Sequence, residues 1–499
     1  MASLEEIRQI HLGKLAELKK VGLDLYPIES HQDFTLAEVI NNFTKLSKEK
    51  SLTIAGRVMA LRPQGALTFL NLNDGTENFQ ALIKKPARTT EGVQSSGDDV
   101  STESFDLFND TVDIGDFVEI KGSLFITKRK EKTLAIKDWA MLAKSLRPLP
   151  EKWHGLQDVE ERFRRRYLDS LMSKEVRERF VLRARLITEM RKFLDEAGYL
   201  EVETPALQNL YGGASAEPFV THHNALDIDL YLRISDELYL KRMLVGGFPK
   251  VYEIAKVFRN EGIDVTHNPE FTMIEFYEAY SDAKKMLIFV EKMFKTLIKK
   301  LFKKQTITFN EQEIDFSKKF SVISYFELLK KYALINNSES ISIKELTLKA
   351  GQLGVSVDEK DSFWKIMDNI YKKICRPKLI QPTFIIDYPV EYLPLAKRQK
   401  KNSKLVDAFQ LVAGGIELVK AFSELNDPIE QKERFMMQEK NKEAGERDAQ
   451  SYDEDFIEAM EYGMPPAGGV GIGIDRLMML LSDQKNIKEV IYFPTMRPR

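Results

Sequence analysis

The segment 258–277 carries the densest set of side chains that could do chemistry. The pattern predicts two strands joined by a loop, and on the second strand Glu275 and Tyr277 share one face while Ile274 and Phe276 share the other. Phe271 and Met273 share the face of Glu275 and Tyr277, and on the first strand Arg259 and Glu261 share one parity. One face thus combines a guanidinium group, two carboxylates and a phenol.

This polar face has two interpretations. A solvated sheet face with salt bridges is the usual reason for such charges. Burial of the same groups without a partner would cost several kcal/mol, so a buried version requires a ligand. Because aromatic rings alternate with the charges, and His267 and Asn268 stand at the tip of the loop, we favour a ligand-binding floor.

A second candidate site lies in 405–426, where Glu417 and Glu424 are seven residues apart. A bend in the strand would let both carboxylates meet one ligand, either a hard cation such as Mg²⁺ or an ammonium group. The alternative is a pair of surface glutamates. Apolar neighbours such as Leu418 and Phe422 argue against that alternative.

A third segment is the glycine-rich run 468–473, which precedes Asp475 and Arg476. It does not match the GxGxxG spacing and follows no βαβ strand, so a dinucleotide-binding fingerprint is not supported. Glycines allow a flat ligand to approach the backbone, and Arg476 at a helix start would attract phosphate. The spacing by itself favours the simpler interpretation, a tight turn with Asp475 as the helix cap.

The elements that must position these residues fall into two groups. An amphipathic helix over 3–20 precedes five short alternating strands between 51 and 146, a pattern that suggests a small antiparallel barrel of the OB type. The polar stretch 85–110 is expected to be a long surface loop. Arginine, aromatic and amide side chains on one barrel face could stack and read single-stranded bases: Arg57, Arg62, Phe69 and Gln80.

The second group is a larger α+β domain. We expect a proline-containing connector over 147–172 and a catalytic domain over 173–499, with 1–50 as a helical extension. A long helix over 174–197 should end at Gly198, and 283–375 should be mostly helical. Strands without a repeated βαβ unit predict a mixed, mainly antiparallel sheet flanked by helices.

Composition excludes several classes of protein. The formal net charge is −2 and hydrophobic residues make up 43%, as in ordinary globular chains. A single cysteine, Cys375, excludes a disulfide framework and a cysteine-rich zinc site. No apolar run is long enough for a membrane helix, and the N-terminus lacks signal-peptide features. We therefore expect a soluble cytoplasmic protein.

Three motifs stand in order along the chain and together resemble those of class II aminoacyl-tRNA synthetases. They are the long helix ending in VETP (about 180–206), the strand–loop–strand FRNE…HNPEFTMIEFY (about 250–280), and GIGIDR before a helix (about 466–482). The linking segments, including GGASAEPFVTHHNALDIDLYLRISDELYLKRM and FSELNDPIEQKERF, resemble class II lysyl-tRNA synthetases over nearly the whole chain.

The resemblance implies an N-terminal OB-fold that binds the anticodon and a catalytic domain that forms a homodimer through motif one. It implies a ligase that activates L-lysine with Mg·ATP to lysyl-adenylate and then transfers lysine to the 3′ end of tRNA(Lys).

The resemblance also implies roles for individual residues. Arg259 and Arg476 would be catalytic, binding the α-phosphate and the distal phosphates. The implied ATP-binding residues are Arg259, Glu261, His267, Asn268, Phe271, Glu417 and Arg476. The implied lysine-binding residues are Gly213, Glu237, Arg259, Glu275, Tyr277, Lys420 and Glu424. The implied metal ligands are Glu417 and Gln410, and the implied anticodon-binding residues are Arg57, Arg62, Phe69 and Gln80.

The chain departs from the family pattern at three positions. Gln410 stands where the family often has a glutamate that binds metal, and a neutral amide is the weaker ligand. Lys420 stands where the family often has an asparagine, and we expect it to pair with the substrate carboxylate or with Glu417. Ala66 replaces a lysine expected near the anticodon.

Alternative functions differ in substrate. A ligase for aspartate or asparagine would use Lys420 to bind an acidic substrate, although Glu237, Glu275 and Glu424 oppose it. A protein-lysylating relative would not need the barrel. A non-catalytic nucleic-acid-binding module would not need Arg259 and Arg476 together.

Overall fold

The computed structural model describes residues 3–86, 100–150, 155–336, 341–358, 361–443 and 452–498. The chain divides into two compact units, Met1–Leu156 and Gln157–Arg499. None of the helices in these ranges combines the length and apolar character needed to cross a bilayer.

The first unit is a closed barrel with helices. Its elements are α1 (Leu4–Lys20), α2 (Leu36–Asn41), α3 (Phe43–Leu46), β1 (Leu52–Gln64), β2 (Leu67–Asn73), β3 (Asn78–Lys84), α4 (Thr102–Thr111), β4 (Phe117–Ile126) and β5 (Lys132–Ala143). The strand order is β1-β2-β3-β5-β4, with β3 and β5 parallel and the other pairs antiparallel. This confirms the predicted OB-type barrel.

The prediction of one long loop over 85–110 was wrong at its C-terminal end, where α4 forms. The Ser101 hydroxyl caps this helix by accepting a hydrogen bond from the backbone N–H of Ser104. Phe105 and Phe108, three residues apart, bury their rings in the barrel core, and Phe108 packs edge-on against Trp139. The apolar spacing i, i+3 therefore makes a helix here, while 87–99 lies outside the described residues.

The second unit is built on an eight-stranded sheet. Its helices are α5 (Val159–Arg164), α6 (Arg166–Met172), α7 (Lys174–Glu196), α8 (Glu237–Val245), α9 (Ala283–Phe302), α10 (Tyr325–Leu328), α11 (Ile343–Gln352), α12 (Phe363–Ile370), α13 (Pro428–Glu443), α14 (Glu454–Glu461) and α15 (Ile474–Leu481). Short π-helical segments at Leu329–Ala333 and Tyr371–Cys375 extend α10 and α12, and 3₁₀ turns occur at Arg376–Lys378, Val390–Tyr392 and Ile487–Glu489.

Its strands are β6 (Leu200–Glu201), β7 (Leu207–Gln208), β8 (Val220–His223), β9 (Ile228–Leu232), β10 (Lys250–Phe258), β11 (Glu270–Ala279), β12 (Thr306–Phe309), β13 (Gln312–Asp315), β14 (Ser321–Ser324), β15 (Thr383–Ile386), β16 (Ala408–Ala413), β17 (Ile416–Ser423) and β18 (Ala467–Gly473). The large sheet has the order β14-β15-β16-β17-β18-β11-β10-β6. Only the two outermost pairs, β14/β15 and β10/β6, are parallel, so the predicted α+β class with a mainly antiparallel sheet is confirmed.

The end of α7 follows the sequence prediction. Gly198 has a φ of +80°, and its N–H donates to the carbonyl of Asp195 while the N–H of Tyr199 donates to that of Leu194. These are the two hydrogen bonds of a Schellman motif, for which glycine is the favoured residue.

The prediction of a glycine-rich turn over 468–473 was wrong, because this segment is β18 in the middle of the sheet. Val470 and Ile472 alternate into the hydrophobic core, as do Ile274 and Phe276 on the neighbouring β11. Gly469, Gly471 and Gly473 therefore lie on the other face of the sheet. Asp475 does not cap α15: Gly473 is the N-cap residue, and the Asp475 carboxylate accepts the backbone N–H of Thr272 and pairs with Arg183.

Candidate active site

A row of polar side chains crosses the sheet on the face opposite the core. Gln410, Lys420, Gly471, Glu275 and Glu253 are directly opposite one another on five adjacent strands, β16, β17, β18, β11 and β10. Directly paired residues project to the same side of a sheet. Because Gly471 has no side chain, the floor between Lys420 and Glu275 is open.

We call the cluster at one side of this floor the acidic pocket; its members are Ser235, Glu237, Lys241, Glu275, Tyr277 and Glu424. Glu275 accepts hydrogen bonds from the hydroxyl groups of Ser235 and Tyr277, both at 2.8 Å. The ammonium group of Lys241 lies 2.5 Å from Oε1 of Glu237 and 2.5 Å from Oε2 of Glu424. All six residues are buried, and Lys241 is paired with two of the three carboxylates, Glu237 and Glu424.

Burial dominates the electrostatics of this pocket. It raises the pKa of Glu424 well above its usual value, although Lys241 opposes the shift. Burial and the charge of Glu237 raise the pKa of Glu275 to about 7, against the hydrogen bonds that stabilise its charged form. A bound cation would relieve both shifts, so the pocket is built to receive positive charge.

Two glycines make room for the acidic pocket. Gly213 has a φ of +83°, and a β-carbon there would lie 2.9 Å from Oγ of Ser235 and 3.0 Å from Cβ of Glu237. At Gly469 on β18, a β-carbon would overlap Oε1 of Glu424 and lie 2.5 Å from Cε1 of Tyr277. Neither position can accept a side chain without a shift of pocket residues.

Two arginines lie beside the acidic pocket. Arg259 follows the end of β10, donates to the carbonyl of Ile234 at 3.3 Å, and holds its guanidinium group 5.1 Å from the centre of the Phe271 ring. Arg476, at the start of α15, donates to Nε2 of His267 at 3.0 Å. Burial lowers the pKa of Arg259, whereas Glu261, Glu275 and Glu417 act in the opposite direction.

The loop between β10 and β11 holds the other residues expected near a nucleotide. Arg259 and Glu261 lie in this loop and not on β10, and Glu261 is exposed. Asn268 is buried and donates to the carbonyl of Glu270 at 2.6 Å. Its Oδ1 atom has no partner among the described residues, so it is an acceptor available to a ligand.

Lys420 and Glu417 share strand β17, next to the open floor. The ion pairs found among the described residues do not include one between them. Desolvation lowers the pKa of Lys420, and Glu417 and Glu237 oppose this shift. Lys420 is therefore a cation that faces the acidic pocket from across Gly471 without a direct carboxylate partner in the described part of the chain.

The carbonyl oxygen of Gln410 is already engaged. It accepts hydrogen bonds from the hydroxyl groups of Tyr371 at 3.2 Å and Tyr388 at 2.9 Å. Within the described residues, no three histidine, cysteine, aspartate or glutamate side chains converge on a metal site. The donor set thus fits a cation that Glu417 holds together with ligand oxygens and water, and it does not fit a site made of two protein carboxylates.

The residues expected to bind the anticodon lie on the strands of the barrel. A β-bulge in β1 between Val58 and Ala60 shifts the register, so that Arg57 pairs with Asn73 and Arg62 with Phe69. Arg62 is exposed and reaches Oε1 of Gln80 at 3.3 Å. Arg57 instead packs over the Phe117 ring at 4.2 Å and donates to the carbonyl of Gly115. Arg62, Phe69 and Gln80 therefore form one group, and Arg57 lies apart from it.

Sequence reasoning missed several members of the site. Lys241 lies four residues after Glu237, the spacing that places two side chains on one helix face, and this signal could have identified the pair. Ser235 and Gly469 carry no comparable signal, because each acts through a contact that depends on the fold. Of the residues expected to bind lysine, Glu237, Glu275, Tyr277 and Glu424 belong to the acidic pocket and Gly213 lies against it, while Glu275 and Arg476 are close enough to Arg259 to act on its charge.

The comparisons with known proteins agree with this geometry. Residues 158–497 match the family model of class II tRNA synthetases (D, K and N), and residues 52–142 match that of the OB-fold nucleic acid binding domain. A lysine–tRNA ligase from Pelotomaculum thermopropionicum is 45% identical over 498 residues, which cover 99% of this chain and 96% of that protein. The lysine–tRNA ligase of Roseiflexus sp. (strain RS-1) is 46% identical, with 99% of both chains covered. The chain belongs to the class II aminoacyl-tRNA synthetases, in the lysine–tRNA ligase family.

Proposed function

We propose that this chain is a lysine–tRNA ligase that activates L-lysine with Mg·ATP and transfers it to tRNA(Lys). The observation that carries the proposal is the acidic pocket, in which Glu237, Glu275 and Glu424 are buried and the ion pairs of the described residues give Lys241 to Glu237 and Glu424 only. An amino acid with two ammonium groups supplies the missing positive charge. A neutral analogue would leave a buried carboxylate unpaired, which costs about 1–3 kcal/mol or more.

Arg259 is close enough to Glu275 of the acidic pocket and to Arg476 for their charges to act on it. We assign it to the lysine carboxylate and the α-phosphate, and Arg476 to the distal phosphates. Phe271 would stack on adenine, and His267, Asn268 and Glu261 would complete the ATP site. Glu417 would hold a Mg²⁺ ion together with phosphate oxygens, and that ion would neutralise part of the triphosphate charge.

Activation needs no side-chain nucleophile. An oxygen of the lysine carboxylate attacks the α-phosphorus, and pyrophosphate leaves with the electrons of the broken P–O bond. The hydroxyl group of the terminal tRNA adenosine then attacks the acyl carbon, and AMP leaves. Orientation of the two substrates and charge stabilisation at phosphorus by Arg259 and Arg476 would supply the rate enhancement.

The remaining assignments concern partners and location. Arg62, Phe69 and Gln80 offer a guanidinium group, a ring and an amide on one barrel face, as single-stranded RNA recognition requires, and we assign them with Arg57 to the anticodon. We assign residues 180–206 to a homodimer interface and the protein to the cytoplasm.

Lysine-dependent exchange of labelled pyrophosphate into ATP tests the proposal. We expect exchange with lysine, and Glu424→Gln should reduce kcat/KM for lysine by about a hundredfold because Lys241 and the substrate ammonium group lose a shared carboxylate. Glu278→Gln is a matched control: it removes a carboxylate on β11 that pairs with Lys250 on β10, outside the pocket. Exchange with aspartate or asparagine in place of lysine would contradict the proposal.

A further inference from the structure

Asp236 is a buried acid that the proposed reaction does not use. It is the N-cap residue of α8 but its side chain makes no capping hydrogen bond, and it is 0% exposed. Neither of its carboxyl oxygens receives a hydrogen bond from any described residue. An ionised carboxylate in such a place would lose its hydration without compensation.

The charged groups around Asp236 do not neutralise it. Glu275 on β11 and Glu253 on β10 are close enough for their charges to act on it, and Arg233 is the cation that opposes them. Arg233 is committed elsewhere: Nη1 lies 2.5 Å from Oε1 of Glu253, and Nε donates to the carbonyl of Lys256 at 2.9 Å. Asp236 therefore shares its site with two other acids and one arginine that is already paired.

Two carboxyl groups in contact cannot both be ionised in a buried site without a large cost, and one shared proton removes that cost. We propose that Asp236 is protonated in the native protein, donates its hydrogen bond to Glu275, and acts as a positioning residue for the acidic pocket. Burial and the charges of Glu275 and Glu253 raise the pKa of Asp236 well above its usual value, in agreement with this assignment.

The stored proton sets the charge of the pocket. Glu237 and Glu424 share Lys241 and so carry one net negative charge. Asp236 and Glu275 share one proton and carry another. Ser235 and Tyr277 are neutral donors to Glu275. The pocket thus presents two negative charges to a substrate with two ammonium groups; this step rests on the proposed function, whereas the protonation of Asp236 does not.

The first experiment examines the proton directly. Infrared difference spectra between the wild-type protein and Asp236→Asn, recorded without substrates near neutral pH, should contain the carbonyl stretch of a protonated carboxyl group in the wild type. Absence of that band, with a carboxylate band lost in the variant, would overturn the proposal. Because no substrate is present, this result is independent of whether the protein activates lysine.

The second experiment examines the positioning role through the pH profile of kcat/KM for lysine. Asp236→Asn keeps a neutral donor to Glu275, so KM for lysine should stay within about twofold. The acid limb of the profile, where kcat/KM falls as the pH is lowered, should not move. Asp236→Ala removes the donor that stabilises ionised Glu275, so KM should rise about tenfold and the limb should move to higher pH by about one unit. Thermal unfolding of both variants identifies any loss of fold.

The outcomes separate the two proposals. If Asp236 were ionised, Asp236→Asn would remove a negative charge beside Glu275 and move the acid limb to lower pH, and the inference would be wrong. A near-normal KM for lysine in Asp236→Asn, together with a raised KM in Asp236→Ala, would support the inference. A protonated-carboxyl band in a protein that shows no exchange with lysine would contradict the proposed function and leave the protonation of Asp236 standing.

Discussion

Arg476 donates a hydrogen bond to Nε2 of His267 at 3.0 Å, and this contact joins the β10–β11 loop to the start of α15 across 209 residues of chain. A guanidinium group can only donate, so Nε2 of His267 must be an acceptor. The proton then resides on Nδ1, which lies 2.9 Å from both carboxylate oxygens of Asp264. The loop therefore holds the His267 ring between Asp264 and one of the two arginines.

Replacement of His267 by alanine should weaken ATP binding and spare lysine binding. Without its partner, Arg476 is free to leave the position in which it would meet the distal phosphates, and the loss of one hydrogen bond to a charged group corresponds to a rise in KM for ATP of about tenfold. Pyrophosphate exchange at varied ATP and at varied lysine measures both constants. His222→Ala, an exposed histidine on β8, is the control; an equal rise in KM for lysine would contradict the assignment.

Gly469 should be required for the amino-acid pocket. In Gly469→Ala the new methyl group would collide with the Glu424 carboxylate and the Tyr277 ring, so we expect kcat/KM for lysine to fall at least about tenfold. Gly471→Ala on the same strand is the comparison for a methyl group without a collision, because its β-carbon would come no closer than 3.4 Å to Cε of Met273 and 3.9 Å to Cγ of Glu275. Similar losses in the two variants would show that β18 tolerates no methyl group at all and would remove the argument for a specific collision.

Lys420 should act through the substrate carboxylate, because it has no direct ion pair with Glu417 in the described residues. We expect Lys420→Met to raise KM for lysine about tenfold, with KM for ATP nearly unchanged. Lys420→Asn, which also removes the charge, should give a similar rise in KM for lysine. An unchanged KM for lysine in both variants would exclude the carboxylate role.

The same residue predicts an alkaline limb in the pH profile. Desolvation lowers the pKa of Lys420, so its ammonium form is complete at low pH and is lost as pH rises, earlier than for an ordinary lysine. The value of kcat/KM for lysine should therefore fall on the alkaline side, and Lys420→Arg, whose side chain stays charged, should extend the plateau to higher pH. Any limb that comes from the substrate amines is common to both proteins, so identical profiles would contradict the prediction.

Much of the architecture could be read from local patterns. Alternation on β11 separated Glu275 and Tyr277 from Ile274 and Phe276, and the structure places the latter pair in the core. Local patterns gave the wrong secondary structure where contacts with distant parts of the chain determined the conformation of a segment. By itself, a run of glycines indicates a turn. The segment that contains Val470 and Ile472 is nevertheless a central strand, because the strands on either side form hydrogen bonds with both of its edges.

By itself, the sequence determined which residue types are present and which face of a strand or helix they share, because side-chain periodicity is a local property of the backbone. Only the tertiary structure decided that Lys241 lies between Glu237 and Glu424. It also decided that two tyrosine hydroxyl groups donate hydrogen bonds to Gln410, and that Asp236 lies close to Glu275. These contacts depend on the order β17-β18-β11-β10. Periodicity assigns a residue to a face but does not choose the strand beside it, so the neighbours that set charge and protonation appear only when the sheet is assembled.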